Sequence, residues 1–394
     1  MSDPAIDSAS LVGDAATRIL RDLADPQTLN RAKDDSWRKP AWTALEEAGL
    51  TLAWVPEALG GAGADLSDGF AVLREAGRFA VPLPLAETLL AGWLLSCAGI
   101  ASPKGAMTCA PVRPGDVAKV ESNGTISGRL RGVPLAKDAS HLAVLARHGD
   151  GRYAVALIEA KAASIADGAS MAGDALNAVT LNGVRPVGLK DAAGFDDDTL
   201  LTMGAAARAM QMAGALEAIL DLAVAYANER VAFERPIAKF QAVQHNLARL
   251  AGEVAVAIAA AGSAADAIAG SSPPPLWGRD REGGTHDGSG IPPPLTPPHK
   301  GEGNPVAGAF DEAIFLEVAS AKIRVGEAAG EGAAIAHQVL GAIGFTQEHT
   351  LHRFTRRLWA WRDDFGNESF WAARLGALVA AKGPDGLWPM LAAR

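Results

Sequence analysis

The stretch from residue 198 to 270 is dominated by alanine and leucine and holds a single proline, Pro236. That leaves it few outcomes. Alanine and leucine are strong helix formers, while proline inside a helix removes a hydrogen bond and clashes with the preceding turn. Long helices interrupted near Pro236 are predicted, and residues 306–382 repeat the same character. Helices of this length exceed the globular average and must cover one another's apolar faces, so a four-helix bundle is predicted.

Upstream, the periodicity changes twice. Residues 9–100 read as helices. Ala16 to Leu23 has helical spacing, and Trp37, Trp42, Leu45 and Ala48 recur before Gly49, a C-cap. Gly60-Gly61-Ala62-Gly63 marks a tight loop. Leu66 to Phe79 is helical again, and Pro82 and Pro84 break the chain before a helix from about Ala86. Residues 105–195 instead alternate short β-type segments with turns, at Gly124–Gly128, His141–Ala146, Tyr153–Ile158 and Val179–Leu181. That spacing suggests a small antiparallel barrel or sandwich. The expected fold class is α+β multidomain: an N-terminal helical domain over 1–104, a middle antiparallel β domain over 105–195 and a C-terminal four-helix bundle over 196–394. A Pro/Gly-rich insert at 270–305 interrupts the bundle, with Pro-Pro-Pro-Leu at both 273–276 and 292–295. Such a composition builds no core, so the insert is expected to be disordered and dispensable.

Charge and cysteine usage exclude some classes. A formal net charge of -9 argues against a non-specific nucleic-acid binder, which needs a basic face. Cys97 and Cys109 are expected to be free thiols in a reducing compartment. No stretch reaches about 18 uninterrupted apolar residues, so no membrane span is expected. The first ten residues lack a signal-peptide pattern, and a cytoplasmic location is expected. No metal is expected.

The most specific stretch runs from Asn228 to His245: Arg230-Val231-Ala232-Phe233-Glu234-Arg235-Pro236, then Phe240-Gln241. A helix ends there, and Arg230 and Gln241 offer cationic and amide donors. A second stretch, Gln338-Val339-Leu340-Gly341-Ala342-Ile343-Gly344-Phe345, has glycines that admit close backbone approach. Both resemble signatures of the acyl-CoA dehydrogenase family. Ala48-Gly49-Leu50, Val55-Pro56-Glu57, Gly60–Gly63 and Glu75-Ala76-Gly77-Arg78 are similar to the family's first-domain landmarks. Ala342 stands where the family has a second glycine. Thr108-Cys109-Ala110-Pro111 lies roughly where it has Thr-Glu-Pro, with the acid missing.

The resemblance implies FAD bound between domains, an acyl-CoA thioester as substrate, an electron-transfer protein as acceptor, and a homo-oligomer or hetero-oligomer with a homologous subunit. It implies that Arg230 and Phe233 face the cofactor of a neighbouring subunit, with Gln241, Gln338 and Gly341 along its nucleotide half. The family reaction takes a proton from Cα of the thioester, which needs a carboxylate base in a dry pocket. By position, the two family base sites fall on Phe365 and Gly204, and neither is an acid. A slip of one residue would make Asp364 the base. Alternatively, Asp363 and Asp364 are surface charges paired with Arg362 or Arg357. Three readings stand: an active dehydrogenase using Asp364 or another acid, a catalytically impaired subunit whose partner supplies the base, or a flavin-free binding or structural protein.

Overall fold

The computed structural model describes residues 8–113, 115–270 and 310–392. The first seven residues and positions 271–305 of the Pro-rich insert lie outside the described residues.

Five helices come first: α1 (Ser8–Ala24), α2 (Pro26–Arg31), α3 (Arg38–Glu47), α4 (Leu66–Arg78) and α5 (Leu85–Cys97). Their ends follow local chemistry. The Asp25 carboxylate accepts from the Thr28 amide at 2.8 Å to open α2, and Asp65 and Asp68 close a capping box on α4. Gly49 (φ 74°) and Gly60 (φ 93°) take the left-handed conformation where the chain turns back. Helix α5 is buried along almost its whole length, between the β-sheet and the C-terminal helices.

Eight strands then form one sheet: β1 (Met107–Cys109), β2 (Ala118–Val120), β3 (Ile126–Pro134), β4 (His141–Arg147), β5 (Tyr153–Glu159), β6 (Ser164–Ala166), β7 (Leu176–Val184) and β8 (Gly188–Asp191). Their order is β6-β7-β3-β2-β4-β5-β8, and β1 also pairs with β4. The barrel or sandwich of the sequence reading is therefore a single, mostly antiparallel sheet. β1 and β2 each run parallel to β4, at Met107–Cys109 with His141–Ala143 and at Ala118–Lys119 with Ala146–Arg147. The link between them carries the chain onward along the same edge, so both pair in one sense.

The C-terminal part starts with α6 (Asp197–Glu229), followed by the two-residue strands β9 (Val231–Ala232) and β10 (Arg235–Pro236). Then come α7 (Gln241–Gly270), α8 (Glu312–Leu340), α9 (Leu351–Asp363) and α10 (Glu368–Ala392), which kinks at Gly383 beside Pro384. α6, α7 and α8 pack on one another. The fourth place in the bundle is shared, because α9 packs on α6 and α8 while α10 packs on α8. By length and mean hydropathy α6 and α7 pass as membrane-crossing helices. α6, however, is buried from Thr199 to Leu216, and α7 turns Leu250, Val254, Ala257, Ala261 and Ile268 inward at helical spacing.

Two glycines set how closely α4 meets α6. A Cβ on Gly77 would lie 1.9 Å from the Gln211 carbonyl oxygen, and one on Gly214 would lie 1.9 Å from that of Arg74. Arg74 Nε donates to Glu217 Oε2 at 2.8 Å across the same contact. This approach fixes Gln211, and with it the neighbouring turn of α6, against the N-terminal helices.

Candidate functional site

A cavity of about 320 Å³ opens where α5, α6, the end of α9 and the β6–β7 loop meet. Arg208 of α6 stands in its wall with 3% of its surface exposed. Its Nε donates to Asp364 Oδ2 at 3.0 Å, its Nη2 to Glu87 Oε1 at 2.5 Å, and its Nη1 to the Gln211 side-chain oxygen. Burial opposes the guanidinium charge, but the two carboxylates outweigh it and raise the Arg208 pKa above its ordinary value. On α8, Lys322 is wholly buried and donates to the carbonyls of Trp361 (3.3 Å) and Arg362 (2.7 Å). It reaches carbonyls at the end of α9, where the Trp361 carbonyl also accepts from the Asp364 amide at 3.2 Å. Burial pushes its pKa down to about 8, against the pull of Asp364 and Glu368.

These contacts settle where the sequence-predicted acids lie. Asp364 is held by Arg208. It does not pair with Arg362 or Arg357, the partners foreseen for it. Arg362 pairs with Glu368 at 2.6 Å and Arg357 with Asp174 at 2.5 Å. Asp363 is exposed.

The two positions read as family base sites meet face to face. Phe365 is 4% exposed, with φ 54° in the turn after α9, and its carbonyl accepts from Trp371 Nε1–H at 2.9 Å. Its ring lies on Gly204 of α6: a Cβ there would be 2.2 Å from Phe365 Cδ1. The absence of a side chain at Gly204 is what admits the ring. The space where either position would carry a carboxylate is filled by an aromatic edge.

The remaining predicted residues gather elsewhere, and none of them lines the cavity. β9 and β10 make a hairpin whose tip is Phe233 (φ 49°) and Glu234 (φ 67°), both left-handed. Phe233 is 88% exposed, and its ring meets Phe240 edge-on at 6.2 Å. Arg230 ends α6 and Gln241 begins α7, both with exposed side chains. Gln338 is exposed near the end of α8, and Gly341 (φ 64°) ends that helix with open space around its α-carbon. The Tyr226 and His349 rings lie 6.5 Å apart, so the end of α6 and the segment after Gly341 share one end of the bundle. A guanidinium, two primary amides, an open glycine and an exposed ring suit a phosphate-bearing dinucleotide. Ala342 is exposed, so its methyl group does not close this surface.

The sequence reading missed Glu87, Arg208, Gln211 and Lys322. For Glu87 and Arg208 the signal was a lone charge in an apolar run, as in Ala205-Ala206-Ala207-Arg208-Ala209 and Leu85-Ala86-Glu87-Thr88-Leu89. Cys109 and Cys97 are free thiols whose pKa burial pushes up to about 12, far from nucleophilic use. Among the described residues no His, Cys, Asp and Glu group is arranged to hold a metal.

Comparison with known proteins gives one consistent result. Residues 7–102 match the family model for the acyl-CoA dehydrogenase N-terminal domain, and residues 197–277 match that for the C-terminal domain. Acyl-CoA dehydrogenase FadE34 of Mycobacterium tuberculosis is 28% identical over 385 residues, which is 94% of this chain and 46% of FadE34. The chain thus spans about half the length of that relative. Acyl-CoA dehydrogenase IpdE2 of Mycolicibacterium smegmatis is 28% identical over 252 residues, 63% of this chain and 73% of IpdE2. Among solved structures, the ChsE4-ChsE5 complex from Mycobacterium tuberculosis shares the fold, with a TM-score of 0.72 at 21% identity, covering 96% of this chain and 99% of that one.

Proposed function

The chain belongs to the acyl-CoA dehydrogenase family, and on that premise we propose that it is an FAD-binding, catalytically impaired subunit whose homologous partner supplies the base. The observation that carries this reading is the plug of Phe365 on Gly204, beside an Asp364 already committed to Arg208. Proton abstraction from Cα needs an acid that is free, close to the substrate and dry. Here Glu87, Asp174 and Asp364, which line the cavity, are ion-paired, the exposed acid is Asp363, and the family positions are empty of carboxylate.

When bound, FAD would accept the hydride from Cβ of the thioester. In this reading Arg230, Phe233, Gln241, Gln338 and Gly341 hold the nucleotide of a neighbouring subunit, and the cavity beside Arg208 receives the acyl thioester and the flavin ring. The exposed, left-handed hairpin tip supports that assignment, because a strained turn with an aromatic in solvent gains from a partner surface. That a protein of the same fold is found in a ChsE4-ChsE5 complex supports a paired assembly. An electron-transfer protein is the proposed acceptor.

The test is turnover. The chain is purified alone and co-expressed with a homologous subunit, and each preparation is assayed with a panel of acyl-CoA thioesters and an artificial electron acceptor. Dehydrogenation by the pair and none by the chain alone is expected. Turnover by the chain alone that Asp364→Asn abolishes would restore the reading of an ordinary dehydrogenase with Asp364 as its base.

A further inference from the structure

The cavity beside Arg208 contains two polar groups that the protein leaves unpaired. Arg113, between β1 and β2, lays its guanidinium against Gly132 of β3, where an added Cβ would lie 2.7 Å from Nη2. Gly132 has φ 63°, and its bare α-carbon makes room for that side chain. The Arg113 Nε–H is buried without a hydrogen-bond partner. Ser170, in the β6–β7 loop, lines the same cavity, and its buried hydroxyl also has no partner. The loop is set from both ends, because the Ser170 amide donates to the Asp174 carbonyl at 2.8 Å and the Gly173 amide donates to the Ser170 carbonyl at 2.9 Å.

The neighbouring acids do not fill this need. Glu87 and Asp364 are bound to Arg208, and Asp174 is bound to Arg357. Asp116, three residues after Arg113, pairs with Arg131 at 2.6 Å. Asp363 also lines the cavity but sits exposed at its edge. What faces the interior is thus an excess of donors, one of them cationic. Buried donors left unpaired cost stability, and a ligand that brings acceptors would relieve that cost.

We propose that Arg113 and Ser170 form an oxyanion-binding subsite, for a carboxylate at the far end of the acyl group or for the negative charge of a reduced flavin. The inference rests on the reading that this cavity receives thioester and flavin. A guanidinium suits a planar oxyanion because its N–H groups match two oxygens at once.

The experiment uses the full chain with any subunit that co-purifies. Glutaryl-CoA and valeryl-CoA have the same acyl carbon count and differ in the terminal carboxylate. Their binding is measured by titration calorimetry to wild type, Arg113→Gln, Arg113→Lys and Ser170→Ala. If the acyl carboxylate is the ligand, glutaryl-CoA binds wild type at least ten-fold tighter. Arg113→Gln then removes that preference by weakening glutaryl-CoA alone, and Arg113→Lys restores part of it. If the flavin is the ligand, both thioesters bind alike, and Arg113→Gln moves the flavin midpoint potential to a more negative value. Arg113 is half-buried, with its Nε–H buried and unpaired, so Arg113→Gln should leave the melting temperature unchanged, which separates either result from misfolding. Equal thioester binding together with an unmoved potential overturns the subsite. Failure of both thioesters to bind, with the potential still shifted, counts against the thioester reading and leaves the subsite standing.

Discussion

Phe365 and Gly204 act as one unit, and their coupling can be measured. Gly204→Ala places a methyl where the Phe365 ring lies, an overlap at 2.2 Å. Overpacking of this kind costs about 1–3 kcal/mol. Phe365→Ala costs about 3–5 kcal/mol, the usual loss for a buried phenylalanine. The double variant should be more stable than the sum of the two predicts, by about 0.5–3 kcal/mol, since the methyl enters the space the ring vacates. Denaturant midpoints of the four proteins give the number, and strict additivity would show that the Phe365 ring does not lie on Gly204. Arg208 is a different case. Arg208→Met strands Glu87 and Asp364 without a cation, which should cost about 3–5 kcal/mol. Lys322 adds a dependence on pH. Its folded pKa of about 8 lies below the ordinary 10.5, so between those values the unfolded chain holds more protons. Stability should therefore rise with pH across that window, and the cost of the buried charge is complete below pH 8. Unfolding free energies of wild type and Lys322→Met from pH 7 to 10.5 test the sign. The variant should lack the rise, and equal slopes would mean that Lys322 is not the group responsible.

At the scale of elements, what was legible depended on whether the signal was local. The breaks at Gly49, Gly60 and Pro84 were readable because each reflects the backbone preference of one residue. The helix over Leu66–Arg78 and the strands at His141–Arg147 and Tyr153–Glu159 were readable from periodicity. The single sheet was not, because pairing Met107 with His141 or Leu176 with Pro134 depends on contacts dozens of residues apart. The same limit hid Arg208, whose partners Glu87 and Asp364 come from α5 and the end of α9. The family motif around Phe233 was plain, but its shape was not. The hairpin needs φ > 0 at both tip residues, and the chain offers Phe233 and Glu234 there. Left-handed geometry costs roughly 1–2 kcal/mol for a residue with a Cβ. Glu234→Gly should then stabilise the chain by about 1 kcal/mol, read as a raised melting temperature. A neutral or destabilising result would place the Glu234 backbone outside the left-handed region.

For the whole molecule, the layout divides labour between a cavity among α5, α6, α9 and the sheet, and a surface at one end of the bundle bearing Arg230, Phe233, Gln241, Gln338 and Gly341. No residue of the second group reaches the first. In the proposed paired assembly that surface is lent to a neighbour's nucleotide, and the proposal predicts how flavin is lost. Arg230→Ala removes a cationic donor from the lent surface, far from the cavity and from the Phe365 plug. It should lower flavin absorbance per assembly while leaving the assembly's mass by light scattering unchanged. Diluting wild type until the assembly separates should release flavin to a similar degree, because either change opens the same site. Phe365→Glu provides the contrast: it alters the cavity of its own chain, so it should leave the surface intact and the flavin contributed through Arg230 in place. If Arg230→Ala retains full flavin while dissociation releases it, the nucleotide is held across the interface by other residues, and the role given to the Arg230 end of the bundle is wrong. If dissociated chains keep their flavin, each chain holds its own nucleotide, and the shared-site architecture falls with it.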